Sequence, residues 1–557
     1  MAPENLSGRI PNPWSLISDG IFQVRVLSEV GMLKPVRPDK LARMGLTFAR
    51  WGATPATGTA VTAIEYPDEV ALIDEIGELT FEEVHRRSNA LARAFADRGV
   101  GPGKGVGIMC RNHRGFIDAT LAAAKLGASS LYLNTQFAGP QLAEVMEREG
   151  PEILVYDEEF TELLEEVDKG IDRVVAWTDG DAGDDSLESM IEGSDDADLS
   201  PPDEKARFVI LTSGTTGTPK GAQRSSPDGL GALASLFDVI PFRSRERMMI
   251  ACPLFHSWGF THFVLALPLA STIVLQRKFK EEETLKTVEE KEAQVLVVVP
   301  VMLQRILNLD DEVLDKYSLP SLRITSVSGS ALPGELALKW MDNFGDNIYN
   351  LYGSTEVAYA TVATPEDLRE APGTAGRPPR GTIVRIYDED DNVLEQGESG
   401  RIFVGNDMAF EGYTGGGGKD EIDGLLSSGD VGHFDEDGRL FIDGRDDEMI
   451  VSGGENVFPR EVEDLLSDHD AVAETAVIGI EDDDFGQRLK AFVVLGGGKD
   501  AGEDELKKHV KSNLAGYKVP KEIEFLDELP RNATGKILKR ELEEREAEKP
   551  GREVQST

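Results

Sequence analysis

Cysteine, long apolar runs and basic charge are all scarce in this sequence. Only two cysteines occur among its 557 residues, Cys110 and Cys252, and both lie inside apolar runs. We expect them to be reduced core residues, which excludes a disulfide framework and fits a cytoplasmic protein. No apolar run reaches the ~18 residues of a membrane-spanning helix. The first residues also lack the basic start and apolar stretch of a signal peptide, so none is predicted.

The shortage of basic residues excludes one class of partner. Lys and Arg number 58 against 101 Asp and Glu, which gives a formal net charge of -43. Nucleic-acid binding needs a basic surface, so this balance argues against it. The acidic clusters fit a solvated surface, and adaptation to a salty cytoplasm is the alternative. His256 and His262 lack the spacing of a zinc motif, and no structural metal is expected.

The pattern of apolar runs predicts the fold class and the domains. Short runs rich in Val, Ile and Leu, such as GVGIMC, RFVILTSG and VLVVVPV, alternate with helical patterns and indicate strands buried in a mixed or parallel sheet. Alternating runs with Gly and Asp turns follow residue 372 and predict a smaller β subdomain. We predict an α/β protein with a large N-terminal α/β body and β subdomain over residues 1–446. A small C-terminal α+β domain is expected over residues 447–557.

Three local patterns add detail to this scheme. Two amphipathic pieces, PWSLISDGIFQVRVLSEVGML and KLARMGLTFARWG, precede the body. We expect them to pack onto it, with weak contact to a membrane surface as the alternative. Thr80 and Glu83 form a capping-box pattern that predicts a helix ending at Gly99. The acidic stretch from Thr178 to Asp203 is predicted to be disordered.

One loop carries the clearest chemical signal. The stretch TSGTTGTPKG, residues 212–221, follows an apolar run and combines hydroxyls, glycines and one lysine. Backbone N–H groups, hydroxyls and an ammonium can together bind phosphate oxygens. The loop is not a Walker A motif, because Pro219 stands where the second glycine should be. From the pattern alone, a phosphate-binding loop and an ordinary surface loop are equally favoured.

A resemblance decides between these alternatives. TSGTTGTPKG resembles the signature loop of the adenylate-forming (ANL) superfamily, which includes acyl-CoA synthetases, carrier-loading adenylation domains and luciferases. Three more motifs match in the order of the family: YNLYGSTE, SSGDVGHFDEDGRLFIDGRDDEMIVSGGENVFPREVE and PRNATGKILKR. Upstream, IMCRNHRGF and LYLNTQFAGPQLAEVM resemble bacterial fatty-acyl-CoA synthetases. The resemblance therefore implies the ANL fold, with a C-terminal domain that moves.

The resemblance implies a two-step reaction and a set of nucleotide-binding residues. A carboxylate and ATP give an acyl-adenylate and pyrophosphate, and CoA then displaces AMP. ATP and Mg²⁺ are the implied cofactors and CoA is the co-substrate. The implied ATP-binding residues are Thr212, Ser213, Gly214, Thr215, Thr216 and Lys220 for the phosphates, Gly329, Ser330, Ala331, Asn350 and Tyr352 for adenine, and Asp430 and Arg445 for ribose.

The same resemblance implies the catalytic residues. Lys536 is matched to the lysine of the family that contacts the carboxylate and the α-phosphate during adenylation. Glu356 is the implied Mg²⁺ ligand, and Thr355 beside it would bond the α-phosphate. His256 matches the position between the carboxylate site and the CoA tunnel, although a lone histidine in an apolar run is commonly a packed core residue.

Motion and CoA entry are assigned in the same way. The hinge is matched to Asp447, and Gly453 and Gly454 to the wall of the CoA tunnel. Plain structural roles remain open for several positions: Asp430 as a turn residue, Arg445 as a surface ion pair, and Gly453 and Gly454 as a β-turn.

The sequence therefore predicts an ATP-dependent fatty-acyl-CoA synthetase. One alternative is an aryl-CoA ligase or an acyl-AMP ligase that loads a carrier protein. An alternative of another class is a non-catalytic nucleotide-binding or membrane-associated uptake protein, which the presence of Lys536 and Glu356 disfavours. A small carboxylate is the expected partner, whereas the acyl chain length and the oligomeric state are not determined by the sequence.

Overall fold

Two large sheets of mostly parallel strands form the body of the chain. The computed structural model describes residues 13–137, 139–180, 183, 185–212, 220–224, 231–408, 410–413, 418–446, 450–452, 455–482, 486–514, 516–532 and 535–547. The first sheet has eight strands in the order β14-β13-β12-β11-β9-β10-β1-β2, and only its two edge strands are antiparallel to their neighbours. Its strands are β1 (Val70–Ile73), β2 (Glu78–Thr80), β9 (Arg247–Ile250), β10 (Thr272–Leu275), β11 (Val295–Val298), β12 (Ile324–Val327), β13 (Ile348–Tyr352) and β14 (Thr361–Ala363).

The second sheet of the body has seven strands in the order β17-β8-β7-β4-β3-β5-β6. Strands β7, β4, β3, β5 and β6 are parallel, and β8 and β17 add an antiparallel edge. The strands are β3 (Gly105–Met109), β4 (Ser129–Tyr132), β5 (Ile153–Asp157), β6 (Asp172–Trp177), β7 (Phe208–Thr212), β8 (Lys220–Arg224) and β17 (Phe410–Tyr413). The apolar runs that predicted parallel strands thus form the interiors of both sheets.

Two smaller sheets follow along the chain. An antiparallel sheet contains β15 (Ile383–Tyr387), β16 (Gly400–Gly405), β18 (Glu421–Ile422), β19 (Leu425–Phe434) and β20 (Leu440–Arg445), and it is the predicted β subdomain. The last sheet contains β21 (Ile450–Ser452), β22 (Glu455–Val457), β23 (Val472–Asp482), β24 (Gly486–Leu495) and β25 (Glu522–Phe525).

Helices cover these sheets. In the body they are α1 (Pro13–Glu29), α2 (Pro38–Trp51), α3 (Pro55–Glu65), α4 (Phe81–Asp97), α5 (Arg114–Leu126), α6 (Gly139–Glu149), α7 (Leu187–Glu192), α8 (Gly231–Val239), α9 (Ser257–Ala266), α10 (Glu281–Glu290), α11 (Pro300–Leu307), α12 (Asp311–Leu314), α13 (Gly334–Phe344) and α14 (Pro365–Glu370). In the C-terminal part they are α15 (Pro459–Ser467), α16 (Glu503–Asn513) and α17 (Lys539–Ala547), and 3-10 turns span Glu158–Glu166 and Gly516–Lys518.

The hydrophobic cores separate the chain into two parts. Four clusters of buried apolar side chains draw only on residues before 447, and two clusters draw only on residues after it. Each part therefore buries its own apolar surface, as expected for separate domains. The exact boundary at residue 447 remains a prediction.

A buried ion cluster fixes α17 to the last sheet. The Lys490 ammonium on β24 is almost fully buried and lies 3.2 Å from Glu522, 3.0 Å from Glu524 and 2.9 Å from Glu546. Glu522 and Glu524 belong to β25, and Glu546 belongs to α17. A buried charge needs such partners to offset the cost of leaving water. The cluster therefore ties α17, which begins at the end of the PRNATGKILKR motif, to the sheet.

The first helices differ from the sequence expectation in one respect. Helix α1 buries Phe22, Val26 and Leu27 and packs on α8, as predicted. Helix α2 contacts α3 but buries none of its side chains. The expected packing onto the body is therefore confirmed for α1, whereas α2 packs on α3 through side chains that are at most partly buried.

Two further local predictions can be compared with the structure. The capping box is confirmed, because the Glu83 N–H donates to Thr80 Oγ1 at 3.2 Å and the Thr80 N–H donates to Glu83 Oε2 at 2.7 Å. Predicted disorder over Thr178–Asp203 is wrong for the described residues after 184. There α7 buries three side chains, and Arg93 donates to the Asp195 and Ala197 carbonyls. Ion pairs and side-chain hydrogen bonds to α4 compensate for the low hydrophobicity of this segment.

The buried cysteines match the sequence expectation. Cys110 and Cys252 are free and buried. Among the described helices, none combines the length and the hydropathy needed to cross a bilayer.

Candidate active site

A single cleft of about 2340 Å³ gathers predicted site residues from several separate segments of the sequence. It lies where the body, the β subdomain and the C-terminal part meet. Of the predicted residues whose side chains are described, every one borders it: His256, Gly329, Ser330, Ala331, Asn350, Tyr352, Thr355, Glu356, Asp430, Arg445 and Lys536. Residues 280 positions apart in sequence, His256 and Lys536, are thus brought to one cavity.

The signature loop begins and ends beside this cleft. Thr212 and Lys220 are paired residues of the antiparallel strands β7 and β8. Leu211, next to Thr212, borders the cleft. Ser213, Gly214, Thr215 and Thr216 lie outside the described residues, so their phosphate role stays a prediction.

A tight turn after β13 presents Thr355 and Glu356. A Cβ at Gly353 would lie 2.1 Å from the Ala358 carbonyl oxygen, so the turn requires glycine there. Ser354 Oγ donates to Glu356 Oε2 at 2.8 Å and accepts the Glu356 N–H at 3.2 Å. These bonds orient a carboxylate at the cleft wall, where its oxygens suit a hard cation such as Mg²⁺.

A tyrosine orients the predicted ribose-binding carboxylate. Tyr352 Oη donates to Asp430 Oδ2 at 2.6 Å. Asp430 is paired with Arg445 across β19 and β20, and Gly429, which precedes it within β19, has a φ of 81°. Burial raises the pKa of Asp430, while the Tyr352 hydrogen bond and the cations Arg445, Lys536 and Lys419 act in the opposite direction. Asp430 is thus more than a turn residue, because its carboxylate is held and surrounded by cations inside the cleft.

Lys536 is carried on a turn that packs directly on the body. Asn532 Oδ1 accepts the Lys536 N–H at 2.9 Å, and the Asn532 carbonyl accepts the Gly535 N–H at 2.9 Å. Gly535 has a φ of 79°, and a Cβ there would lie 2.2 Å from Val301 Cγ1 on α11. Only glycine fits both the conformation and the contact.

A hydrogen bond between the same helix and the C-terminal part lies close by. Gln304 Nε2 on α11 donates to the Ala473 carbonyl oxygen at 2.8 Å. Together with the Gly535 contact, it docks the C-terminal part so that Lys536 lies at the cleft and its charge acts on Asp430.

His256 stands at the start of α9 and borders the cleft. Burial lowers its pKa to about 4, so the imidazole is neutral near pH 7. His256 was matched to the position between the carboxylate site and the CoA tunnel. A neutral imidazole suits that position, because it places no charge between the two sites. Trp258 and Phe260 of the same helix also border the cleft while remaining largely buried.

A second buried histidine, His262, has hydrogen-bond partners on both ring nitrogens. Nδ1 lies 3.0 Å from the Trp258 carbonyl oxygen, and Nε2 lies 3.0 Å from Ser326 Oγ. Burial lowers its pKa to about 4. The hydrogen bond to the Trp258 carbonyl raises the pKa, but this effect is the smaller one.

We expect His262 to make the protein less stable in mild acid. Its folded pKa of about 4 lies below the ordinary value of 6.5, so the unfolded chain binds the proton more tightly. Its stabilising contribution is therefore complete above pH 6.5 and is lost as the pH falls toward 4, by at most about 1.4 kcal/mol per pH unit. Urea unfolding midpoints at pH 7, 6 and 5 measure this, and His262→Gln should flatten the decline.

The control for this experiment is a histidine with the opposite shift. The hydrogen bond from His433 to Asp443 raises the pKa of His433, so its contribution is present at low pH and is lost as the pH rises. His433→Gln should therefore not flatten the decline in acid. An acid slope unchanged by His262→Gln would contradict the assignment.

Three more predicted residues cannot be compared with the structure. The predicted hinge residue Asp447 and the predicted tunnel residues Gly453 and Gly454 lie outside the described residues. Their neighbours Asp446 and Arg445 border the cleft.

The structure adds residues that the motifs did not identify. Lys419 lies before β18, outside the quoted motifs, yet its ammonium would lie 3.2 Å from a Cβ at Gly429 and it borders the cleft. Val301 and Gln304 dock the C-terminal part but lie in a plain amphipathic helix. Their sequence context gives no sign of this role, because the partner surfaces are distant in the chain.

One buried group with metal-ligand side chains lies away from the cleft. Ligand atoms of Cys110, His113 and Asp157 lie within 4.8 Å of one another. His113 Nδ1 accepts the Gly115 N–H at 3.1 Å, so Nε2 carries the proton and donates to Asp157 at 2.8 Å. Both ring nitrogens thus serve hydrogen bonds that cap α5, and this explains the cluster without an ion.

Comparisons with known proteins identify the family of the chain. The AMP-binding enzyme model matches residues 60–414, and the AMP-binding enzyme C-terminal domain model matches residues 461–536. A feruloyl-CoA synthase from Amycolatopsis sp is 33% identical over 84% of this chain and 94% of the relative. A fatty acid–[acyl-carrier-protein] ligase from Streptomyces coeruleorubidus is 29% identical over 87% of this chain and 95% of the relative.

A solved structure gives the same result at the level of the fold. The crystal structure of the anthranilate CoA ligase AuaEII in complex with anthranoyl-AMP matches with a TM-score of 0.80 and 25% identity, over 88% of this chain and 96% of that one. The chain belongs to the AMP-binding enzyme family, within the adenylate-forming superfamily of acyl- and aryl-CoA ligases.

Proposed function

We propose that this protein joins a fatty acid to CoA at the expense of ATP. The observation that carries the proposal is the single cleft that is bordered by Lys536, Glu356 and Asp430 and also by His256 and apolar side chains. Nucleotide-binding groups and an apolar pocket in one cavity are what the activation of an apolar carboxylate requires.

In the first step the carboxylate oxygen of the acid attacks the α-phosphorus of ATP. The bond from the α-phosphorus to the bridging oxygen breaks, and pyrophosphate leaves. Negative charge collects on the α-phosphate oxygens, and the Lys536 ammonium and the Thr355 hydroxyl would stabilise it. The loop from Thr212 to Lys220 would bind the departing pyrophosphate.

Glu356 is the residue that would hold Mg²⁺. Its carboxylate is oriented by Ser354 and faces the cleft, so its oxygen donors fit this ion. When bound there, Mg²⁺ would neutralise charge on the leaving pyrophosphate. Asp430, fixed by Tyr352, would accept hydrogen bonds from the ribose hydroxyls and orient the nucleotide.

In the second step the sulfur of CoA attacks the carbonyl carbon of the acyl-adenylate. The bond from that carbon to the phosphate oxygen breaks, AMP leaves and the thioester remains. We propose that the C-terminal part turns about Asp447, which removes Lys536 and brings Gly453 and Gly454 to the path of the pantetheine arm.

A long alkyl chain is favoured by the apolar lining. Side chains from β7, α8 and α9 border the cleft, including Phe208, Leu236 and Phe260, and the cleft extends to Met44 and Phe48 on α2. Lining from so many elements suits an extended chain better than one aromatic ring. Relatives that act on aryl acids make an aryl-CoA ligase the second candidate.

The test is a panel of carboxylic acids assayed for CoA-dependent AMP release. We expect kcat/KM to rise with alkyl chain length from C4 toward C12, because each buried methylene contributes about 0.8 kcal/mol. Ferulate, anthranilate and indoleacetate serve as matched aryl acids. A preference for one of these acids would overturn the fatty-acid assignment but not the ligase assignment.

Two controls separate the remaining alternatives. Adenylate formation without thioester formation, together with transfer to an acyl carrier protein, would indicate an acyl-AMP ligase. An absence of carboxylate-dependent ATP–pyrophosphate exchange with every acid in the panel would indicate a non-catalytic nucleotide-binding protein.

A further inference from the structure

Helix α2, the second helix of the chain, exposes several large apolar side chains. Of the nine large apolar side chains that are exposed in the described part of the chain, six lie between residues 21 and 48. Within α2, Leu41 is 58% exposed, Leu46 is 53% exposed and Phe48 is 54% exposed. Clusters of exposed apolar side chains on a protein commonly mark a surface that binds something.

The pattern of the helix shows how this surface is organised. Leu41, Met44, Phe48 and Trp51 follow the 3- and 4-residue spacing of one helical stripe. Met44 and Trp51 are only partly buried. The stripe therefore lies along one edge of the contact with α3, with Leu41 and Phe48 exposed. Leu46 lies off this stripe, at 3- and 4-residue spacing from Arg43 and Arg50, and the exposed face between the two rows is formed by Ala42, Gly45 and Ala49.

The charge of this segment is opposite to that of the chain. Residues 34–52 contain five basic residues and one acidic residue, whereas the whole chain carries a net charge of -43. Arg43 and Arg50 form no ion pair with any described residue. Although the sequence contains 101 acidic residues, these two exposed arginines are available to bind an external anionic partner.

We propose that α2 docks on the surface of an anionic lipid bilayer. The exposed face of α2 carries Leu41 and Phe48 on one side and Leu46 with Arg43 and Arg50 on the other. A helix that lies on this face in the interfacial plane has its apolar side chains among the acyl chains and its arginines at the lipid phosphates. The rest of the protein is repelled by such a surface. Salt screens that repulsion beyond about 8 Å at physiological ionic strength. The charge of the segment in contact therefore decides whether the bilayer attracts or repels the protein.

A second copy of the chain fits this surface less well. A twofold interface through α2 would place the same basic segment of one copy against that of the other. Like charges would then face each other around the apolar stripe. An anionic bilayer satisfies both the apolar side chains and the arginines.

Docking in this way has a consequence for substrate supply, which rests on the proposed function. Met44 and Phe48 border the cleft as well as belonging to the stripe. A helix lying on the bilayer would therefore place one end of the apolar cleft next to lipid, where apolar acids concentrate. The docking itself does not depend on which acid is used.

The test is co-sedimentation of the full-length protein with lipid vesicles, without ATP or acid. We expect binding to vesicles of equal parts phosphatidylcholine and phosphatidylglycerol in 0.1 M KCl, and binding at least about tenfold weaker to phosphatidylcholine alone. Arg43→Glu with Arg50→Glu should weaken binding to the anionic vesicles at least about tenfold. Leu41→Ser with Leu46→Ser should do so while the ligase activity on a water-soluble short-chain acid is retained.

The matched control removes exposed apolar side chains elsewhere. Ile76 is 61% exposed and Val393 is 54% exposed, and neither lies in the basic segment. Ile76→Ser with Val393→Ser should leave vesicle binding unchanged. Equal binding by the wild type and the α2 variants would overturn the proposal. A dimer in solution that the α2 substitutions dissociate would do the same, by assigning the surface to a second copy. Failure of the acid panel would leave this result unaffected.

Discussion

Lys536→Ala is expected to slow acyl-adenylate formation by about 100- to 1000-fold, because it removes one fixed cation from the charge that develops on the α-phosphate. The thioester half-reaction from supplied acyl-adenylate should stay close to the wild-type rate. In that step the proposed rotation of the C-terminal part has removed Lys536 from the reacting atoms. Carboxylate-dependent ATP–pyrophosphate exchange measures the first half-reaction, and thioester formation from synthetic acyl-AMP measures the second.

The structure provides a matched control for this variant. Lys508 lies on α16 of the same C-terminal part, is exposed and does not border the cleft. Lys508→Ala should leave both half-reactions unchanged. If Lys536→Ala slowed both halves equally, the lysine would have a structural role in docking the C-terminal part.

Asp430→Ala is expected to raise the Kd for ATP by about 100-fold or more. Each hydrogen bond to a charged acceptor contributes about 1.5–3 kcal/mol, and two ribose hydroxyls are proposed to donate to this carboxylate. Tyr352→Phe should have a smaller effect of about tenfold, because the carboxylate remains but loses the 2.6 Å hydrogen bond that orients it. Calorimetric titration with ATP measures both.

The nucleotide itself supplies a second comparison. Wild-type protein should bind 2′-deoxy-ATP more weakly than ATP, and Asp430→Ala should lose that preference. A variant that still discriminated as strongly as the wild type would show that the ribose contact lies elsewhere. Asp423 is a matched control, because it also accepts a hydrogen bond from a tyrosine, Tyr387, in the same sheet but away from the cleft. Asp423→Ala should leave nucleotide binding unchanged.

The strands of the fold could be predicted from local patterns because burial on both faces leaves a direct signature in sequence. Runs such as RFVI and VLVVV correspond to β7 and β11, interior strands of the two large sheets. The capping box at Thr80 was equally predictable, since both of its hydrogen bonds join residues three apart. Such signals require no knowledge of the remainder of the chain.

The prediction failed where the partner is distant. The stretch after residue 184 has a composition typical of disorder, yet Arg86, Arg93 and other side chains of α4 bind it. Helix α2 has the periodicity of a packed amphipathic helix, but its contact with α3 leaves every one of its side chains at least partly exposed. Composition and periodicity describe a segment alone, and neither reports whether a complementary surface lies opposite.

By itself the sequence determined the class of fold, the four ordered motifs and the chemical types of the site residues, because motif spacing and apolar periodicity are local properties of the chain. Tertiary structure alone decided which of those residues meet. The Tyr352–Asp430 hydrogen bond, the packing of Gly535 against Val301 and the partly uncovered stripe of α2 all depend on surfaces distant in sequence. Their complementarity exists only once the chain is folded.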